Sequence, residues 1–313
     1  MRRILRLGAV ILACFLSFVL AAPATAQQHW GDRHETYLIG NVVLAGGTAL
    51  VRSLWSGADP VEAFLKGAAG GVVAYTGQRL AGTGRTEVLF VGHQVTAIGT
   101  NIARNAGDGV PLLSDLILPL YPFYVRVRPG SEEPVRIQLS SSSLRAIGFA
   151  FLYSPNDEWI DWRLTLLMGV PVFRSEHERL RYWKGEAATC PAVTCGTNRW
   201  AFHHSGTLTL GSLYDGGSAR GRYVLGHEMV HVTQATRARV LEAVDLSDHV
   251  LGAIGLGRFS RWFVLDDLTF HEIAHFIRTP GIHATSGSNV NELEADAMTG
   301  RGQCRDRSNV CPL

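Results

Sequence analysis

The sequence lacks an apolar run long enough to cross a bilayer, a surplus of charge of one sign, and any internal repeat of architectural period. Beyond the N-terminal segment, the longest uncharged runs, 36–51 and 88–103, reach 16 residues each, below the roughly 20 that a spanning helix needs. The second run also contains His93, Gln94 and Asn101. Both are expected as buried helices, with His93 a hydrogen-bonded core residue and association with a membrane surface left open. Lys and Arg number 29 against 27 Asp and Glu. The arginines are scattered and not interleaved with aromatics, so nucleic acid is not an expected partner.

A shorter apolar segment opens the chain. Arg2, Arg3 and Arg6 precede an apolar stretch at 7–20, and Ala21-Ala22-Pro23-Ala24-Thr25-Ala26 follows. Positive, apolar and small-residue regions in that order make a signal peptide, so the protein is expected to be periplasmic or secreted after cleavage near Ala26. Cleavage removes three arginines, leaving 26 basic against 27 acidic residues and a formal charge of −1. Cys14 leaves with the signal, and Cys190, Cys195, Cys304 and Cys311 remain. An even count in an oxidising compartment favours disulfides over a zinc knot. Three connectivities are open, and the local pairs Cys190–Cys195 and Cys304–Cys311 are the simplest.

An α+β architecture is expected beyond the signal. An apolar helical region occupies 27–130, a short β-rich segment 131–200, and a further domain 201–313. Segments 38–55, 61–80 and 88–104 read as helices of low polarity, with glycines at 67, 70 and 71 allowing close backbone approach. Alternation at 123–128 and 135–139 reads as half-buried strands, and strand-like character recurs at 148–153 and 162–173. The run 206–211 reads as another strand, with an edge open to an extended peptide.

The chemistry gathers after that strand. The run 222–234 reads as a helix with Leu225, Met229 and Val232 on one face and His227 and His231 on neighbouring turns. Two imidazoles four residues apart can hold one Zn2+. Glu228, beside the first, can act as general base on a water that the metal activates. Downstream, Glu292 in Asn291-Glu292-Leu293-Glu294-Ala295-Asp296 is the candidate third ligand, and Asp296 a hydrogen-bond partner for a ligand histidine. Tyr223, His249 and His271 are conceivable oxyanion partners.

His-Glu-x-x-His followed by Glu-x-x-Ala-Asp resembles the gluzincin metallopeptidases, and Glu-Leu-Glu-Ala-Asp is similar to the string in prenyl-protein and stress-response membrane proteases. The 60 residues between His231 and Glu292 match the gap those groups use. The extension to Gln234 resembles a bacterial exported zincin-like group. The likeness covers about 205–300. It implies a zincin-like C-terminal domain, Zn2+ held by His227, His231 and Glu292, Glu228 as catalytic base, and a peptide or protein substrate.

The motif occurs twice, and His271-Glu272-Ile273-Ala274-His275 also fits. The preceding strand, Gln234 and the distance to Glu292 favour the first. Read together, Glu228/His231 and Glu272/His275 are two Glu-x-x-His units, which a di-iron oxidoreductase would complete with Glu292 or Glu294 and Glu242. A non-catalytic envelope protein with a structural zinc is the third reading.

Overall fold

The computed structural model describes residues 34–141, 144, 158–168, 172–175, 201–204, 207–210, 217–264, 294–295 and 298–299. The signal segment 1–26, the four cysteines of the mature chain and the strand-like stretch 148–153 lie outside the described residues.

Three helices form the first layer: α1 (His34–Ser56), α2 (Pro60–Gly82) and α3 (Thr86–Asp108). Asp59 starts α2 by accepting from the backbone N–H of Val61 and Glu62, with Pro60 at a position where a missing N–H costs nothing. Glycines let the helices touch through their backbones. A Cβ on Gly70 would lie 2.5 Å from the Gly99 carbonyl oxygen, and one on Gly99 would lie 2.5 Å from that of Gly70. Gly67 and Gly71 meet α1 in the same way, against the carbonyl oxygens of Ala45 and Asn41.

The 16-residue uncharged run at 36–51 sits in a helix of 23 residues, about 34 Å long at the usual rise. Among the described residues, α1 is the one helix long and apolar enough to cross a membrane by length and composition, and 28 % of its most apolar window is buried. By contrast, the polar residues of 88–103 fasten α3 to its neighbours. Asn101 donates to the Ile117 carbonyl and accepts from the Ile117 N–H, both at 2.9 Å, as a neighbouring strand would. His93, fully buried, meets the Met168 carbonyl through Nδ1 (3.1 Å) and Thr236 Oγ1 through Nε2 (2.7 Å).

Two sheets follow. The first runs β1 (Leu116–Leu120), β2 (Phe123–Val127), β3 (Val135–Ser140) in antiparallel order. The second draws on β4 (Glu158–Ile160), β5 (Val172–Ser175), β6 (Ala201–His204) and β7 (Thr207–Leu210), in the order β4-β5-β7-β6. β8 (Phe263–Val264) pairs in parallel with β3, so the first sheet joins segments on both sides of residues 130 and 200.

The strand expected over 162–173 is corrected in its first seven residues, whereas 172–173 fall in β5. Residues Trp162–Met168 form a short helix, α4, because Asp161 caps it, accepting from the Leu164 N–H at 3.0 Å. Trp162, Leu164, Leu166 and Met168 alternate in sequence, yet Leu164 and Met168 are buried and Leu166 is 71 % exposed, a helical spacing. The edge assigned to 206–211 is corrected as well. β7 is hydrogen-bonded on both sides, to β5 and β6, so its backbone cannot receive a peptide. Among the described residues, β6 is the strand at that end of the sheet.

Asp115 anchors the first sheet beneath three guanidinium groups, from Arg126 at 2.5 Å, Arg128 at 3.2 Å and Arg104 at 3.3 Å. Burial pushes its carboxyl upward, but the hydrogen bond to Arg126 and the three positive charges outweigh that and hold it below the ordinary value. Burial also brings Arg104 down to about 10. A depressed carboxyl contributes stability above its unfolded pKa, near 4, and that contribution is lost as pH falls through the folded value. Asp115→Asn is therefore expected to lower Tm at neutral pH, with the gap to wild type closing as the pH falls below about 4. Melting curves across that range check it, and a gap independent of pH would count against the carboxylate's role.

Candidate metal centre

The long helix α5 (Ala219–Ala253) carries the site. Leu225, Met229 and Val232 are buried in the main core, between Ala81 of α2, Leu89 of α3, Val172 of β5 and Leu208 and Leu210 of β7. On another side Val230 packs with Tyr37, Ala295 and Met298. Gripped on two faces, the helix has little freedom to rotate, which sets the direction of its histidines. Gly226 brings this turn against the end of α2, where a Cβ would stand 2.4 Å from the Gly82 carbonyl oxygen.

His227 and His231 face each other through Nε2, 3.2 Å apart. Two nitrogens bound to one zinc at 2.0–2.1 Å with a tetrahedral angle stand about 3.3 Å apart, so the pair fits the ion. His231 Nδ1 lies 2.9 Å from Gln234 Oε1; an amide oxygen only accepts, so this contact calls for the proton on Nδ1 and the lone pair on Nε2. Gln234 Nε2 in turn donates to Glu294 Oε2 at 2.7 Å. Glu228 is half-buried beside His227, and the Tyr223 ring lies 6.2 Å from that of His227, centroid to centroid.

Glu292, the expected third ligand, lies outside the described residues, as do Asp296 and the second motif, His271, Glu272 and His275. Among the described residues no third His, Cys, Asp or Glu joins the pair. Two further expectations are corrected by geometry. His249 stands 18 residues beyond His231 on the same helix, about 27 Å along the axis, too far to serve as an oxyanion partner there. Glu242 also belongs to α5, 11 residues past His231, or about 16 Å. It cannot supply the carboxylate from a separate helix that a di-iron site requires.

Glu294 is not open to a metal either. Its Oε1 accepts from Asn41 Nδ2 at 2.8 Å, its Oε2 is taken by Gln234, and Arg237 lies 3.9 Å away. It acts as an outer partner of His231, a role the sequence reading gave to Asp296. A cue existed in the sequence, since Asn41 is the one amide in the uncharged run 36–51. What no periodicity indicates is that it meets a residue 253 positions away.

Comparison with protein-family models, curated proteins and solved structures finds no match to this chain.

Proposed function

We propose that the protein is a metal-dependent hydrolase. More particularly, we read it as an exported zinc peptidase, with residues 1–26 removed on export, that cleaves peptide or protein substrates. The observation that carries this reading is the facing Nε2 pair of His227 and His231, with His231 oriented through Gln234. Glu292 is proposed as third ligand and the C-terminal domain as zincin-like. A bound zinc ion supplies Lewis acidity and lowers the pKa of a coordinated water. Glu228 would serve as general base toward the attacking water and as proton donor to the departing amine nitrogen. The β6 edge, with His203 opposite Leu208 and His204 opposite Thr207, is the strand beside which an extended peptide can pair.

Elemental analysis of the purified full-length mature chain tests the reading, comparing wild type with His231→Ala and His275→Ala. About one zinc per chain, lost with His231→Ala and kept with His275→Ala, is the expected result. Two irons per chain, lost with either substitution, would replace the peptidase with a di-iron oxidoreductase. Zinc that survives His231→Ala would point to a structural ion elsewhere.

A further inference from the structure

The buried polar ring around Glu294 draws on parts of the chain far apart in sequence. Asn41 of α1, 3 % exposed, commits both amide hydrogens, to the Tyr37 carbonyl (2.9 Å) and to Glu294 Oε1 (2.8 Å). Its Oδ1 accepts from Arg237 Nη1. Gln78 of α2 is fully buried in the same ring. With its amide oriented by its neighbours, Gln78 Nε2 donates to Glu294 Oε1 and its Oε1 accepts from Arg237 Nη1, both at 3.1 Å. The other carboxylate oxygen accepts from Gln234.

The logic of the ring runs in one direction. A carboxylate accepts hydrogen bonds, so it turns the Gln234 nitrogen toward itself, and the single amide oxygen must then face His231 Nδ1. An amide oxygen only accepts, so the imidazole proton sits on Nδ1 and the lone pair on Nε2, toward His227. Apolar side chains of similar volume would fill this space at no cost in buried polar groups. Asn41, Gln78 and Glu294 instead converge through one glutamine on one ring nitrogen.

Resting on the zinc reading of the His227–His231 pair, we propose that Glu294, Asn41 and Gln78 are positioning residues of the metal centre. α1 and α2 hold Glu294, Glu294 orients Gln234, and Gln234 sets the tautomer with which His231 binds a divalent transition metal. The first helical layer is thus a working part of the site, and the affinity for metal is set from α1 as well as from α5. Gly71 tightens the coupling, since a Cβ there would lie 2.5 Å from the Asn41 carbonyl oxygen; the backbone carrying Asn41 is wedged against α2.

The test uses the full-length mature chain, free of metal, with its histidines labelled with nitrogen-15. Above the imidazole's ordinary titration range, the wild type is expected to show His231 protonated at Nδ1 alone. Glu294→Gln, whose amide no longer dictates which way Gln234 turns, is expected to show both tautomers. Zinc affinity, measured by chelator competition, should fall about 10- to 100-fold in Glu294→Gln and in Gln234→Leu. A proton on Nε2 of wild-type His231, or unchanged zinc affinity in folded variants, would overturn the proposal. Should Glu294→Gln fail to fold, the wild-type tautomer decides by itself. His231→Ala separates this proposal from the one beneath it. If that variant binds zinc as the wild type does, the zinc reading fails and the affinity claim with it, and the relay is judged on the tautomer alone.

Discussion

Glu228→Gln is expected to keep its metal and lose peptide hydrolysis by about 100- to 10,000-fold in kcat, the range that a positioned general base contributes. Glutamine has the volume of glutamate and leaves both imidazoles in place, so the Nε2 pair at 3.2 Å should bind zinc as before. What disappears is the group proposed to take the proton from water. Metal content and turnover of a peptide library, measured on the same preparation, check both halves. Equal turnover in the variant would remove the mechanism, whereas loss of metal would mean that Glu228 supports the site structurally.

The second large effect is expected from Gly226→Ala. A Cβ at this position would stand 2.4 Å from the Gly82 carbonyl oxygen and 2.9 Å from the Gly84 amide nitrogen. Both are backbone atoms, which cannot swing aside as a side chain can. Gly84 is itself held at φ +63° against the Arg222 carbonyl, so the turn after α2 has no slack. The added methyl must push α5 away from α2 immediately before the first histidine. Overpacking of this kind costs about 1–3 kcal/mol, a drop on the order of 2–5 °C in Tm for a chain of this size, and zinc affinity should fall along with it. Gly40→Ala on α1 is the control. Nothing lies within 4 Å of a Cβ there, so alanine should hold or raise Tm by its better helix propensity. Melting curves for the two variants therefore differ in sign if the contact at Gly226 matters.

Some of this molecule is readable one segment at a time. Leu225, Met229 and Val232 recur at helical spacing, and all three are buried along α5. The alternation at 123–128 and 135–139 becomes β2 and β3, paired in antiparallel register. The same reading fails at 162–168, where four apolar residues alternate as in a strand. There the cap from Asp161 decides the outcome, because one satisfied helix N-terminus outweighs a pattern of only seven residues.

The sequence by itself determined the α+β character, the helix that bears the two histidines, and the four-residue spacing that lets both imidazoles meet one ion. These are local properties, set by side-chain period and backbone geometry within a few turns. The tertiary structure alone decided which strand is interior, which carboxylate stands behind His231, and that Asn41 of the first helix holds that carboxylate. Each of those depends on contacts between segments that only folding brings together. β7 lost its free edge when β5 and β6 paired with it. Glu294 became an outer partner because α1, α2 and α5 close around it and bury its oxygens among amide donors, where an unpaired carboxylate would be too costly to keep.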